Sequence, residues 1–217
     1  MTGDSTIKRE RLVTQLKERG IRHPEVLAAM RTVPRECFVE EALRAKAYSD
    51  SPLPIGESQT ISQPLIVALM CELAVGDGSG RVLEIGTGSG YHAAVLAQLF
   101  EQVYTVERIQ MLSVRARKAI RELGLENVHF KIFDGSYGWS EFAPYRAILV
   151  TAGSPELPKP LFDQLEEGGR LVIPIARGAG EEEQTLVRYV KQGGQPVREE
   201  HGACRFVPLV GKYGWKT

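Results

Sequence analysis

Apolar residues in the first quarter of the chain recur at helical spacing. In residues 7–19, Leu12, Val13 and Leu16 share one face, and Gly20 supplies a C-terminal stop. Pro24 suits the first turn of a second short helix running to about Thr32. A Pro- and Gly-containing loop over residues 51–63 precedes an apolar helix over residues 64–74. From Arg81 the pattern changes to strand alternating with helix. Residues 81–85 (RVLEI) read as a buried strand, then a glycine loop, then a helix over residues 91–99. Residues 102–107 (QVYTVE) read as a strand. Ile109, Leu112, Ala116, Ala119, Ile120 and Leu123 then fall on one helical face that Gly124 ends. Residues 129–133, 147–151 and 170–175 are further strands. Residues 185–191 and 204–210 are both β-like, separated by a polar turn at Gly193–Gly194. This order implies an α/β fold with a doubly wound, mostly parallel, seven-stranded sheet, N-terminal helices and an antiparallel C-terminal edge.

Length and composition fit one domain. The 217 residues are 43% hydrophobic and 25% charged, ordinary for a globular chain. Within that domain, residues 1–75 are a helical elaboration with its loop, and residues 76–217 the α/β core. The apolar runs are too short to span a bilayer, and the N-terminus (MTGDSTIKRERLV) is charged where a signal peptide needs an apolar core. A cytoplasmic protein with no membrane partner is expected. Lysines plus arginines number 27 and aspartates plus glutamates 27. A nucleic-acid binder usually carries a basic excess, so no nucleic-acid partner is expected. The cysteines Cys37, Cys71 and Cys204 are far apart, and the histidines His23, His92, His129 and His201 show no ligand spacing, so no metal site is expected.

Residues 82–91 (VLEIGTGSGY) carry the densest chemistry. A buried strand runs into Gly86, Gly88 and Gly90 with a helix immediately after, where glycine lets backbone turn sharply and approach a ligand. A tight strand-to-helix turn would use the same residues, so the acids around it matter. Glu107 ends the next strand, twenty-one positions after Gly86 (107 − 86), where an acid can accept both hydroxyls of an adenosine ribose. Asp134-Gly135 follows the third strand, placed to meet an adenine edge. Glu84, near the first strand's end, can help hold a cationic amino-acid tail. The loop is GxGxG beside an acid, not the GxGxxG phosphate cradle of dinucleotide folds. S-adenosylmethionine, which has no phosphate and carries a sulfonium and an ammonium, fits these carboxylates better.

Methyl transfer to a carboxylate needs no general base, because the acceptor is ionised at neutral pH (a model carboxyl titrates near ~4). The chain shows no His, Cys or Lys catalytic constellation. Residues 148–155 (ILVTAGSP) lack the Asn/Asp-Pro-Pro-aromatic clamp of base-amine methyltransferases, and no cysteine sits as cytosine C5 chemistry needs. In residues 53–64 (LPIGESQTISQP), Ser62 or Thr60 is suited to cap the following helix, with Pro64 in its first turn.

Together these segments resemble the protein-L-isoaspartate O-methyltransferases over nearly the whole chain. The likeness includes residues 33–39 (VPRECFV), 53–64, 82–91, 103–109 (VYTVERI), 148–158 (ILVTAGSPELP) and 205–209 (RFVPL). The resemblance implies methyl transfer from S-adenosylmethionine to the free α-carboxylate of L-isoaspartyl residues in damaged proteins or peptides, and less well to D-aspartyl ones. The ester then collapses to a succinimide. It implies that Gln59, Thr60, Ile61 and Ser62 border the cofactor, and that Ser62 is the active-site residue, orienting the acceptor carboxylate by a hydrogen bond. Glu84 and the loop Gly86, Thr87, Gly88 and Gly90 are expected on the methionine part, Glu107 at the ribose and Asp134-Gly135 at the adenine, with Arg108 a further cofactor-binding residue. A monomer is the expected working form. Two positions depart from the family pattern. Gly56-Glu57-Ser58 stands where Gly-Tyr-Gly or Gly-Gln-Gly is often seen, with Glu57 expected to point to solvent. Phe133 replaces the usual glycine before Asp-Gly, where an aromatic either packs beside adenine or shifts the loop. Read without the resemblance, the residues also admit a small-molecule or RNA acceptor, or a non-catalytic binding module on the same fold.

Overall fold

The computed structural model describes residues 2–76, 80–177 and 183–216. Two helices open it, α1 (Thr2–Glu18) and α2 (Pro24–Thr32), followed by 3₁₀ turns at Arg35–Phe38 and Glu41–Lys46. Pro24 sits in the first turn of α2. Glu72 Oε1 accepts from the Arg22 and His23 backbone amides just ahead of that turn, at 2.7 and 2.6 Å. Residues 51–63 are more regular than a loop. They hold a hairpin of β1 (Leu53–Gly56) and β2 (Gln59–Ile61), in which Gly56 pairs with Gln59 across Glu57 and Ser58. Both turn residues have positive φ, 52° and 55°, the two-residue geometry whose twist suits a hairpin. The helix α3 (Pro64–Ala74) follows.

The expected cap is not formed. Gln63, not Ser62 or Thr60, is the residue before α3, and no side chain of its own caps the helix. Asp50 Oδ1 accepts from the Leu65 amide instead, at 3.3 Å. The serine hydroxyl is thereby left out of helix capping.

Seven strands make the main sheet: β3 (Arg81–Ile85), β4 (Gln102–Glu107), β5 (Val128–Ile132), β6 (Tyr145–Val150), β7 (Leu165–Ala176), β8 (Gln184–Gln192) and β9 (Gln195–Cys204). Their spatial order is β5-β4-β3-β6-β7-β8-β9. The strands from β5 to β7 are parallel; β8 and β9 are antiparallel. Helices α4 (Tyr91–Leu96), α5 (Gln110–Glu122) and α6 (Lys159–Asp163) lie in the crossovers. The helix expected to reach Leu99 ends at Leu96, and the Gln98 and Leu99 amides bond three residues back in a tightened last turn.

Side chains alternate across the central strands, as a period of two requires. Val82, Val103, Ala147, Leu149 and Val172 pack with Leu12, Val13, Leu16 and Met30 from the N-terminal helices. Leu83, Ile85, Tyr104, Ile148, Val150 and Leu171 pack on the other face with Leu161 and Phe162 of α6. Burial on both faces explains why these strands read as apolar runs.

The expected strand over residues 204–210 is displaced. Gly193 and Gly194, with φ of 57° and 74°, turn the chain back at once, and β9 starts at Gln195, paired with Gln192. It is the exposed outer strand and mostly polar, so apolar alternation does not mark it. Residues 205–210 continue as irregular chain to the end of the parallel strands, where Gly153 bridges Pro208.

Candidate active site

The chain order reverses between β3 and β6, and the carboxyl ends of these strands open onto one cleft, the position where open α/β sheets bind ligands. At its floor β3 leaves the sheet through Gly86, whose φ is 95°. A Cβ at Gly86 would collide with Thr151 Oγ1. That hydroxyl donates to the Gly86 carbonyl at 2.7 Å and the Ile85 carbonyl at 3.0 Å, clamping the ends of β3 and β6 together. Gly88 is open, its missing Cβ having only Ile55 Cδ1 near it, at 3.6 Å.

The acids at the strand ends separate by role. Glu107 lines the cavity. Its Oε2 accepts from the Gly88 amide and its Oε1 from the Ile109 amide, each at 2.9 Å. Each carboxylate oxygen still has acceptor capacity, as a vicinal diol needs. Glu84 does not line the cavity. It is fully buried, accepts from Thr105 Oγ1 at 2.6 Å, and is linked to the wall through the 2.6 Å contact of Thr105 Oγ1 with Thr87 Oγ1. Burial pushes its carboxyl up to about 8. His92 Nδ1 lies 3.8 Å from Glu84 Oε1, and burial pushes the imidazole down to about 4. Both groups are driven to their neutral forms, so their contact is not an ion pair. His92 Nε2 meets Cys71 Sγ at 3.3 Å.

Asp134 likewise stands behind the wall. Its Oδ1 accepts from the Ser136 amide and hydroxyl at 2.9 and 2.7 Å, and its Oδ2 from the Lys212 amide at 2.8 Å. The carboxylate ties the C-terminal tail to the end of β5, while Gly135 next to it lines the cavity. Phe133 is not among the lining residues. It lies 45% exposed, with Lys131 Nζ 4.8 Å from its ring centre and Tyr137 5.7 Å away.

The hairpin forms the opposite wall. Gln59, Thr60, Ile61 and Ser62 all line the cavity. The Ile55 carbonyl accepts from Arg115 at 3.1 Å and the Ser62 carbonyl from Arg35 Nη2 at 2.8 Å. Among the described residues no protein group bonds the Ser62 hydroxyl. Glu57 is exposed, 3.9 Å from Arg115 at the turn, and is not among the residues lining the cavity.

Of the residues expected to contact the cofactor, Gln59, Thr60, Ile61, Ser62, Gly86, Thr87, Gly88, Glu107, Arg108 and Gly135 share this one cavity; Glu84, Gly90 and Asp134 stand outside it. Gly90 packs on α5, where a Cβ would come 3.0 Å from that of Ala116. Further lining residues had no chemical signature: Tyr91, His92, Thr151, Ala152 and residues 207–210. The last group is held by the Gly153 amide on the Val207 carbonyl and the Leu209 amide on the Gly153 carbonyl, both at 2.8 Å.

Residues 7–214 match the family model of protein-L-isoaspartate(D-aspartate) O-methyltransferase. The chain belongs to this family. A protein-L-isoaspartate O-methyltransferase of Geobacter metallireducens is 57% identical over 213 residues, 97% of each chain. One of Dictyoglomus thermophilum is 51% identical over 96% of this chain and 94% of its own. A solved protein-L-isoaspartate O-methyltransferase superposes with a TM-score of 0.86 at 35% identity, over 95% of this chain and 67% of that one. A Plasmodium falciparum structure carrying the same family name, in complex with S-adenosyl-L-homocysteine, gives 0.81 at 26% identity, over 93% and 98%. The cavity joins Gly86–Gly88 and Glu107 on one side to residues 59–62 on the other.

Proposed function

We propose that this chain uses S-adenosylmethionine to esterify the free α-carboxylate of L-isoaspartyl residues in damaged proteins and peptides, and acts less well on D-aspartyl ones. The observation that carries this reading is the shared cavity: Glu107 and the glycine loop on one side, the unbonded Ser62 hydroxyl on the other. S-adenosylmethionine suits the wall, which offers an acid with spare acceptor capacity and an open Gly88, and contains no lysine. Glu107 would hold the ribose hydroxyls, with Arg108 beside it. The main chain at Gly135 would border the adenine, and Gly86–Gly88 the methionine part. Glu84 supports that loop from behind through Thr105 and Thr87, and Gly90 through its packing on α5.

The cofactor supplies a methyl group activated on a sulfonium sulfur. An ionised carboxylate takes it without losing a proton, so the residues have to position the acceptor and exclude water. His92, buried, neutral and turned to Cys71, fits a reaction that asks for no base. Ser62 donates a hydrogen bond to the acceptor carboxylate and forms no covalent intermediate. After release, the following amide nitrogen attacks the ester carbonyl and expels methanol. The resulting succinimide reopens by hydrolysis to aspartate or isoaspartate.

The balanced charge, 27 basic against 27 acidic residues, accords with protein substrates and no nucleic acid. No helix among the described residues is long and apolar enough to cross a membrane. We place the chain in the cytoplasm, working as a monomer and as one methyltransferase unit. Incubation of an isoaspartyl peptide with S-adenosylmethionine, followed over time, is expected to yield the methyl ester, then the succinimide, then partly the aspartyl peptide. Ester without later succinimide would contradict the repair outcome, and no ester would contradict the acceptor.

A further inference from the structure

Residues 33–39 carry part of the family likeness, yet none of them lines the cavity. Arg35 within them is completely buried. Its Nε donates to the Ala47 carbonyl at 2.7 Å and its Nη2 to the Ser62 carbonyl at 2.8 Å. The guanidinium carbon sits 4.7 Å over the ring of Tyr91, a lining residue. Its Nη1 is buried and meets no hydrogen-bond partner among the described residues. No ion pair among the described residues includes it. Two acids near it hydrogen-bond or pair elsewhere: Glu36 accepts from the Tyr48 hydroxyl, and Asp50, whose field reaches Arg35, meets the Leu65 amide and Arg19.

A guanidinium stays charged in a protein, and a buried charge is costly unless paired. Bracing two carbonyls requires donors but no charge. A cation kept behind two lining residues with a spare N–H, held by two carbonyls, the Tyr91 ring and the field of Asp50 but by no carboxylate contact, is a half-made ion pair.

We propose that Arg35 is the positioning and charge-selecting residue of the acceptor subsite, fixing the Ser62 main chain and favouring an anionic acceptor across that wall. This rests on the acceptor reading above. Arg35 is a positioning residue because it acts through Ser62 and Tyr91.

The test compares an isoaspartyl peptide with the same peptide whose α-carboxylate is replaced by a carboxamide. Each is titrated into full-length protein saturated with S-adenosyl-L-homocysteine, for wild type, Arg35→Lys and Arg35→Met. Wild type is expected to prefer the carboxylate. Arg35→Met should lose about tenfold or more in carboxylate affinity, about 1.4 kcal/mol, with carboxamide and S-adenosyl-L-homocysteine affinities nearly unchanged. Arg35→Lys should retain most of the preference. Should Arg35→Met fail to fold, Arg35→Gln takes its place, and thermal melts confirm which variants are native. Equal weakening of both peptides, or an undiminished preference, in a folded neutral variant overturns the inference alone. Absence of any preference in wild type overturns it together with the acceptor reading.

Discussion

Ser62 lines the cavity, and its hydroxyl has no protein partner among the described residues, while its carbonyl is held by Arg35. Side chain and main chain of one residue therefore have separable tasks. Ser62→Ala should lower turnover on an isoaspartyl peptide about 10- to 100-fold, the worth of a hydrogen bond to a charged group. Cofactor affinity and thermal stability should stay nearly constant, since the hydroxyl does not cap α3. Parallel calorimetry and steady-state kinetics check this, and a lost melting temperature with intact turnover would contradict it. Glu107→Ala should weaken S-adenosyl-L-homocysteine binding by about tenfold or more, because it removes the brace on Gly88 and the proposed acceptor for the ribose hydroxyls. Glu84 is legible differently, through pH. Burial raises it from 4.5 to about 8, so the folded chain keeps a proton that the unfolded chain releases. Its contribution to stability therefore declines as pH rises from 4.5 to 8. His92, lowered from 6.5 to about 4, acts in the opposite sense and loses its contribution as pH falls from 6.5 to 4. Between pH 6.5 and 8 Glu84 alone of the two changes. Urea unfolding should show stability falling across that window in wild type and a flatter profile in Glu84→Gln; equal slopes would contradict the assignment. The sequence places Glu84, Glu107 and Asp134 alike at strand ends. Which carboxylate faces the cavity depends on Thr105, Ser136 and Lys212, partners 21, 2 and 78 residues away.

Between elements, the hairpin of β1 and β2 brings residues 59–62 to the cleft, and it turns on two non-glycine residues with positive φ. Replacing Glu57-Ser58 with Asn-Gly should suit that turn better and stabilise the fold by up to about 1 kcal/mol, a rise of about 2–4 °C in melting temperature. Methyl transfer should not change, since Glu57 is not among the residues lining the cavity; a fall in activity would show that the turn residues take part. The hairpin is hidden in the sequence because β1 and β2 are only four and three residues long, too short for alternation to register. The outer strand β9 is hidden for another reason: its exposed positions are polar, and its register comes from Gly193 and Gly194. Of residues 204–210, read as a strand, residues 207–210 instead line the cleft from irregular chain held on Gly153.

Across the molecule, the parallel strands are buried on both faces, and that burial makes the order of strand and helix readable from apolar runs alone. The reversal of strand order beside β3 then fixes where the glycine loop opens. The place of the glycine loop and Glu107 was therefore legible, but not that Glu84, Gly90 and Asp134 stand behind the cavity. The wall of residues 59–62 was legible only through its likeness to a family, because it arises where the N-terminal elaboration meets the sheet. Arg35, Tyr91 and Ser62 come together there from three separate elements. The proposed methyl transfer depends on that meeting of residues 59–62 with the glycine loop and Glu107 in one cavity. The sharpest check is methyl transfer from labelled S-adenosylmethionine to two peptides identical except for an L-isoaspartyl or an L-aspartyl linkage at one position. Base-labile label is expected on the isoaspartyl peptide and essentially none on its aspartyl twin; equal labelling of the two, or none on either, would overturn the proposed function.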